Sequence, residues 1–130
     1  MGMDVGVNVA GPCSQRVLTL TRSWPGVTVH RADCGTGAAL VFSGCQVAHL
    51  HEGDEAELLL GERSAARLGP LLAGSGRAWV DGGTVRLRLG GESDVRTLLS
   101  LLSLAIKSCA EGGCRGNAPW CRIGRGAAVR

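Results

Sequence analysis

His49 and His51, in the run Ala48-His49-Leu50-His51-Glu52-Gly53-Asp54, are the side chains of this sequence best placed by type and spacing to do chemistry. Imidazole titrates near neutrality, so either ring can take up or release a proton at physiological pH. If residues 46 to 51 form a strand, its period of two sends Val47, His49 and His51 to one face and Ala48 and Leu50 to the other. Two imidazoles then point the same way. Such a pair suits acid/base catalysis with Asp54 as a supporting carboxylate, ligand binding without catalysis, or metal chelation completed by Asp54, Glu52 or a group from another strand. A structural role is the remaining reading, with the rings on the wet face of an edge strand or hydrogen-bonded under a helix.

Other chemistry-bearing residues are weaker candidates. Trp79 opens an apolar strand and reads first as core, alternatively as a pocket wall. Arg86 and Arg88 read as the wet side of a strand and, with Trp79, as the residues that would hold an anionic ligand. His30 and Cys34 could meet in space, but a buried cysteine is usually a small apolar filler. Gly35-x-Gly37 lacks the third glycine of a dinucleotide loop, and no Gly-Lys-Ser/Thr phosphate loop occurs.

The elements that must position these residues follow from periodicity. Ser14 caps a helix over about 14 to 23, stopped by Pro25. Val27 to His30, Ala39 to Phe42 and Gln46 to His51 alternate as strands, the last two joined through Ser43-Gly44. Glu57 to Leu60 extends the sheet, and Glu62 to Leu72 has helical composition that Gly69-Pro70 is expected to distort or end. Arg77 to Val80 and Thr84 to Leu89 flank Asp81-Gly82-Gly83 as a second hairpin, with Val85, Leu87 and Leu89 alternating against Arg86 and Arg88. A final helix from Ser93-Asp94 to about Cys109 places Val95, Leu98, Leu99, Leu102, Ala105 and Ile106 on one face. This order predicts an α+β fold, an antiparallel twisted sheet with N- and C-terminal helices packed on one face.

Composition bounds the function. With 130 residues, 45% of them apolar, the chain can bury one core and not two. Residues 1 to 111 read as the domain, and residues 112 to 130, rich in Gly and Arg, as an extension. The formal charge of +3 is uneven: residues 107 to 130 carry five cations and one acid, whereas residues 1 to 106 carry nine cations and ten acids. A basic end on a neutral body gives a modest electrostatic attraction, and nucleic acid is disfavoured as a partner. No apolar run approaches the roughly 18 residues of a membrane span, and the first 16 residues lack the pattern of an export signal, so a cytoplasmic protein with no membrane contact is expected. Its six cysteines are therefore expected to be reduced. Cys109-x4-Cys114-x6-Cys121 lacks the Cys-x-x-Cys turn of a structural zinc site.

Over residues 16 to 108 the chain resembles the small bacterial domain labelled "luciferase family protein". The resemblance is carried by Trp24-Pro25-Gly26-Val27, Ala48-His49-Leu50-His51-x-Gly53-Asp54, Glu57 to Leu60, Arg77-Ala78-Trp79-Val80 and the closing strand-Asp94-helix unit. It implies an α+β layout similar to frataxin-like or double-wing sheets, and it implies a functional His-x-His signature. It does not imply flavin chemistry, because the chain has neither the size nor the (β/α)8 pattern of a flavin luciferase. Many members carry a further histidine before the Trp-Val strand, where this chain has Gly76-Arg77-Ala78.

These readings converge on a small accessory or tailoring protein, set by composition and resemblance in actinobacterial specialised metabolism. His49 and His51, with Asp54, would perform acid/base chemistry such as cyclisation, isomerisation or elimination on an organic or peptide substrate held by Trp79, Arg86 and Arg88. No metal or other cofactor is expected. The alternatives are a non-catalytic module binding a peptide, a partner protein or a small ligand, and a His-x-His metal-dependent enzyme.

Overall fold

A computed structural model describes residues 11 to 32 and 37 to 112. Helix α1 (Pro12–Thr21) leads into a meander of four strands, β1 (Val27–Arg31), β2 (Ala38–Phe42), β3 (Cys45–His51) and β4 (Glu55–Leu59). Helix α2 (Glu62–Ala73) then carries the chain to the hairpin β5 (Ala78–Asp81) and β6 (Thr84–Arg88), and α3 (Glu92–Gly112) closes the fold. The six strands form one sheet in the order β1-β2-β3-β4-β6-β5, with every neighbouring pair antiparallel. The expected α+β class, with helices on one face of an antiparallel sheet, is what the chain adopts.

Turn chemistry sets the register. Ser43 and Gly44 both have positive φ, 55° and 79°, the pair of left-handed conformations that lets a two-residue loop follow the twist of its strands. Cross-strand pairing and the two-residue period assign Leu40, Ala48, Leu50, Ala56, Leu58, Val85 and Leu87 to one face, where all are buried. Helix α3 packs there against β3, β4 and β6, α2 packs against β5 and β6, and α1 packs on α3. Val17, Val95, Leu98, Leu102 and Ala105 are their core residues. Leu101 is also buried, while Leu99 and Ile106 are only partly so.

Three local expectations need correction. Helix α1 starts at Pro12 with Gly11 as its N-cap residue, and Ser14 is not the cap. Its first-turn amides are satisfied by a residue some forty positions away, which local pattern cannot reveal. Helix α2 runs through Pro70 to Ala73, so of the two expected outcomes the helix does not end at Gly69-Pro70; proline's missing N–H and its ring clash fall on the turn before it, at the carbonyl of residue 66, and one lost bond there does not stop the last turn. Finally, Cys45 is disulfide-bonded, whereas Cys13 and Cys109 are free. The expectation of six reduced thiols therefore fails, because bridging depends on Cα atoms brought within about 4.4 to 6.8 Å by the fold, and spacing along the chain does not report that. Cys34, Cys114 and Cys121, and with them the expected extension from residue 113 onward, lie outside the described residues.

Candidate functional site

The sheet's other face carries a polar row. Register places Ala39, His49, Glu57, Arg86 and Trp79 directly opposite one another across β2, β3, β4, β6 and β5. Two residue pairs along, on the same face, His51 faces Glu55, and Glu55 faces Arg88. His49, Glu57 and His51 are buried, so the middle of this row is dry while its Trp79 end, 42% exposed, is open. The first expectation for Trp79, core packing, is thus replaced by its alternative, a position on the open end of this face.

A β-bulge completes the surroundings of His49. Leu40 pairs with Ala48 but Val41 pairs with Gln46, so Val47 is an extra residue in β3 and drops out of the alternation expected for it. In a regular strand residues 46 and 49 lie on opposite faces. The extra residue brings them to the same one, and His49 Nε2 donates to Gln46 Oε1 at 2.7 Å. Nδ1 then carries the lone pair of the neutral ring. The His51 ring stands edge-on to that of His49, with centroids 5.9 Å apart and planes at 79°. Burial lowers the pKa of His49 to about 4, and the neighbouring His51 pulls in the same direction. His51 is lowered too, again by burial, against the opposing pull of Glu55. Both rings are neutral at pH 7.

At the open end, the Arg86 guanidinium lies 5.0 Å from the Trp79 ring centroid and that of Arg88 5.9 Å, both within cation–π range. Arg88 also faces Glu55 at 3.5 Å, a solvent-exposed pair of little energetic weight. A cavity of about 80 Å³ is lined by Glu57, Trp79, Asp81, Thr84 and Arg86. The three residues expected to hold a ligand therefore meet, and Trp79 and Arg86 line a cavity that reaches the buried Glu57.

Asp54 is engaged elsewhere. Its Oδ2 accepts from the Cys13 amide at 3.2 Å and its Oδ1 from the Ser14 amide at 2.9 Å, so it caps α1 from across the fold. It does so from a left-handed backbone conformation, φ 56°, that aspartate tolerates better than most residues. Replacing Asp54 by Ala should therefore cost about 1 to 2 kcal/mol of stability, as lost caps do. Denaturant unfolding of the variant checks this, and an unchanged midpoint would remove the capping role.

Glu57 and Gln46 are the site residues that sequence reasoning missed. Glu57 was legible in principle, because Glu55-x-Glu57 follows His49-x-His51 across a short turn, and antiparallel pairing of two such strands sets acid against imidazole on one face. Gln46 was not, since only the bulge turns it to that face. Among the described residues no group of three His, Cys, Asp or Glu side chains is placed to hold a metal ion, and no helix is long and apolar enough to cross a membrane. The fold and site together define a one-sheet α+β protein with its helices on one face and a half-buried polar row on the other. Comparison with family models, with curated proteins and with solved structures finds no match for the chain.

Proposed function

We propose that the polar row is a substrate site in which His49 moves a proton on a small organic or peptide molecule. The observation that carries this reading is the direct opposition of a neutral, buried imidazole and a buried carboxyl, His49 and Glu57, in a row that opens to solvent at Trp79. In such a site His49 accepts a proton at Nδ1 while Gln46 holds Nε2–H and the edge-on His51 ring restrains the imidazole plane. Glu57 faces His49 across the β3–β4 pair, so a carboxyl stands beside the ring that takes up the proton. Trp79, Arg86 and Arg88 hold the rest of the molecule. Isomerisation and elimination begin with removal of a proton from carbon, and cyclisation with deprotonation of a nucleophile, so each can use this arrangement.

As parts of the same proposal, the chain is placed near the small bacterial domains labelled "luciferase family protein", on the strength of Ala48-His49-Leu50-His51 and Trp79-Val80, and in actinobacterial specialised metabolism. Cytoplasmic action is proposed as well. The Cys45 disulfide pulls against it, because such bonds are rare in a reducing cytosol.

A second reading, a binding module without catalysis, is favoured by one observation: the accessible part of the row is Trp79 with Arg86, whereas His49 is fully buried. Incubating the protein in D2O with a panel of amino acids, small carboxylic acids and short peptides separates the two. A proton-transfer site incorporates deuterium at an acidic C–H of at least one compound, read by mass spectrometry. His49→Gln should slow that incorporation by roughly 100-fold or more, the usual contribution of a general base. Exchange that persists in His49→Gln, or that is absent across the panel, overturns the catalytic reading and leaves the binding module.

A further inference from the structure

We infer that the cavity beside Trp79 seats the zwitterionic headgroup of an α-amino acid, its ammonium and carboxylate together, with the amino acid's side chain lying out along the indole. This deepens the proposed function by naming a substrate class, and it rests on the outer sheet face being a ligand site. The cavity, about 80 Å³ and open to solvent on one side, has room for a headgroup of a few heavy atoms and leaves the rest of a ligand free to lie outside it along Trp79.

Charge then selects the headgroup. Arg86 stands at the centre of the lining, flanked on β4 by Glu57 and on β5 by Trp79, with Thr84 and Asp81 paired two residues along the same face. The guanidinium offers a planar fork of donors suited to a carboxylate. Glu57 and Asp81 bring carboxyl oxygens, each with several lone pairs, suited to an ammonium. Thr84 Oγ1 donates its only proton to the Asp81 carbonyl at 3.0 Å, so toward the cavity it too can only accept. A simple anion entering this space meets two carboxyls, and a simple cation meets the guanidinium. A group with both charges on neighbouring atoms meets a partner for each, and discrimination of this kind comes as much from the mismatched charge as from the matched one.

The test titrates the protein with three probes of one shape: L-phenylalanine, 3-phenylpropionate, which lacks the ammonium, and phenethylamine, which lacks the carboxylate. Binding is read from NMR shifts of the Trp79 indole N–H and the Arg86 Nε–H. L-Phenylalanine should bind at least about tenfold more tightly than either analogue, since a site built around polar partners rejects a ligand missing one of them. Arg86→Gln should abolish the preference over phenethylamine, and Asp81→Asn should reduce the preference over 3-phenylpropionate, each in a variant whose amide spectrum shows the parent fold. Equal binding of either analogue, or no shift at Trp79 with any probe, overturns the inference. The two proposals fail separately. Deuterium exchange on a compound that is not an amino acid, without amino-acid binding at Trp79, leaves proton transfer standing and removes the headgroup. Preferential binding of L-phenylalanine without exchange does the reverse.

Discussion

Acidification from pH 7 to pH 4 is expected to remove up to about 3 kcal/mol of folding stability through His49 alone. Its pKa falls from an ordinary 6.5 to about 4 in the folded chain, and each unit of difference is worth 1.36 kcal/mol. Above pH 6.5 neither folded nor unfolded His49 binds a proton and the contribution is complete. Between 6.5 and 4 the unfolded chain takes up a proton that the folded one refuses, so stability falls with pH through that window and levels off below it. His51 is shifted the same way and steepens the loss. Urea unfolding at half-unit pH intervals reads the slope directly. His49→Gln, which cannot titrate, should remove the larger part of it, and an unaltered slope in that variant would assign the acid sensitivity to other groups.

The largest single-site loss is expected at Leu58. Its side chain is fully buried on the helix-covered face, between Ala48 on β3 and Val85 on β6. Truncation to Ala should cost about 2 to 5 kcal/mol, from lost transfer energy plus a cavity that two paired strands and a packed helix cannot close. Leu71, 75% exposed on α2, supplies the contrast. Leu71→Ala should change stability by no more than about 0.5 kcal/mol, as surface substitutions do. Equal effects of the two substitutions in thermal or denaturant unfolding would contradict the assignment of faces. The comparison bears on the site as well, because the same register that buries Leu58 sends Glu57 to the polar row.

Much of this architecture was legible along the chain because its causes are local. Val85-Arg86-Leu87-Arg88 alternates because one side of β6 meets the core and the other meets solvent, and that requirement is written into consecutive residues. Val95, Leu98, Leu102 and Ala105 recur at helical spacing for the same reason. Ser43-Gly44 announced its hairpin, and His49-x-His51 announced two rings on one face.

What the sequence by itself determined is therefore the identity of the elements, the α+β class, and, along β6 and α3, which side chains turn toward the core. Only the tertiary structure decided how those faces meet. Asp54, read as a catalytic partner of the histidines, became the cap of α1 because the β3–β4 turn folds against that helix end. Gln46 joined His49 because a single extra residue in β3 reversed its face. Glu57, Arg86 and Trp79 fell into line because β6, not β5, pairs with β4, an order that nothing local specifies. For Asp54 and for the β4–β6 pairing the deciding quantity is a distance between residues far apart in the chain, and for Gln46 it is the register of β3 against β2; both are set by the packing of the whole core, and a periodic pattern carries no information about them.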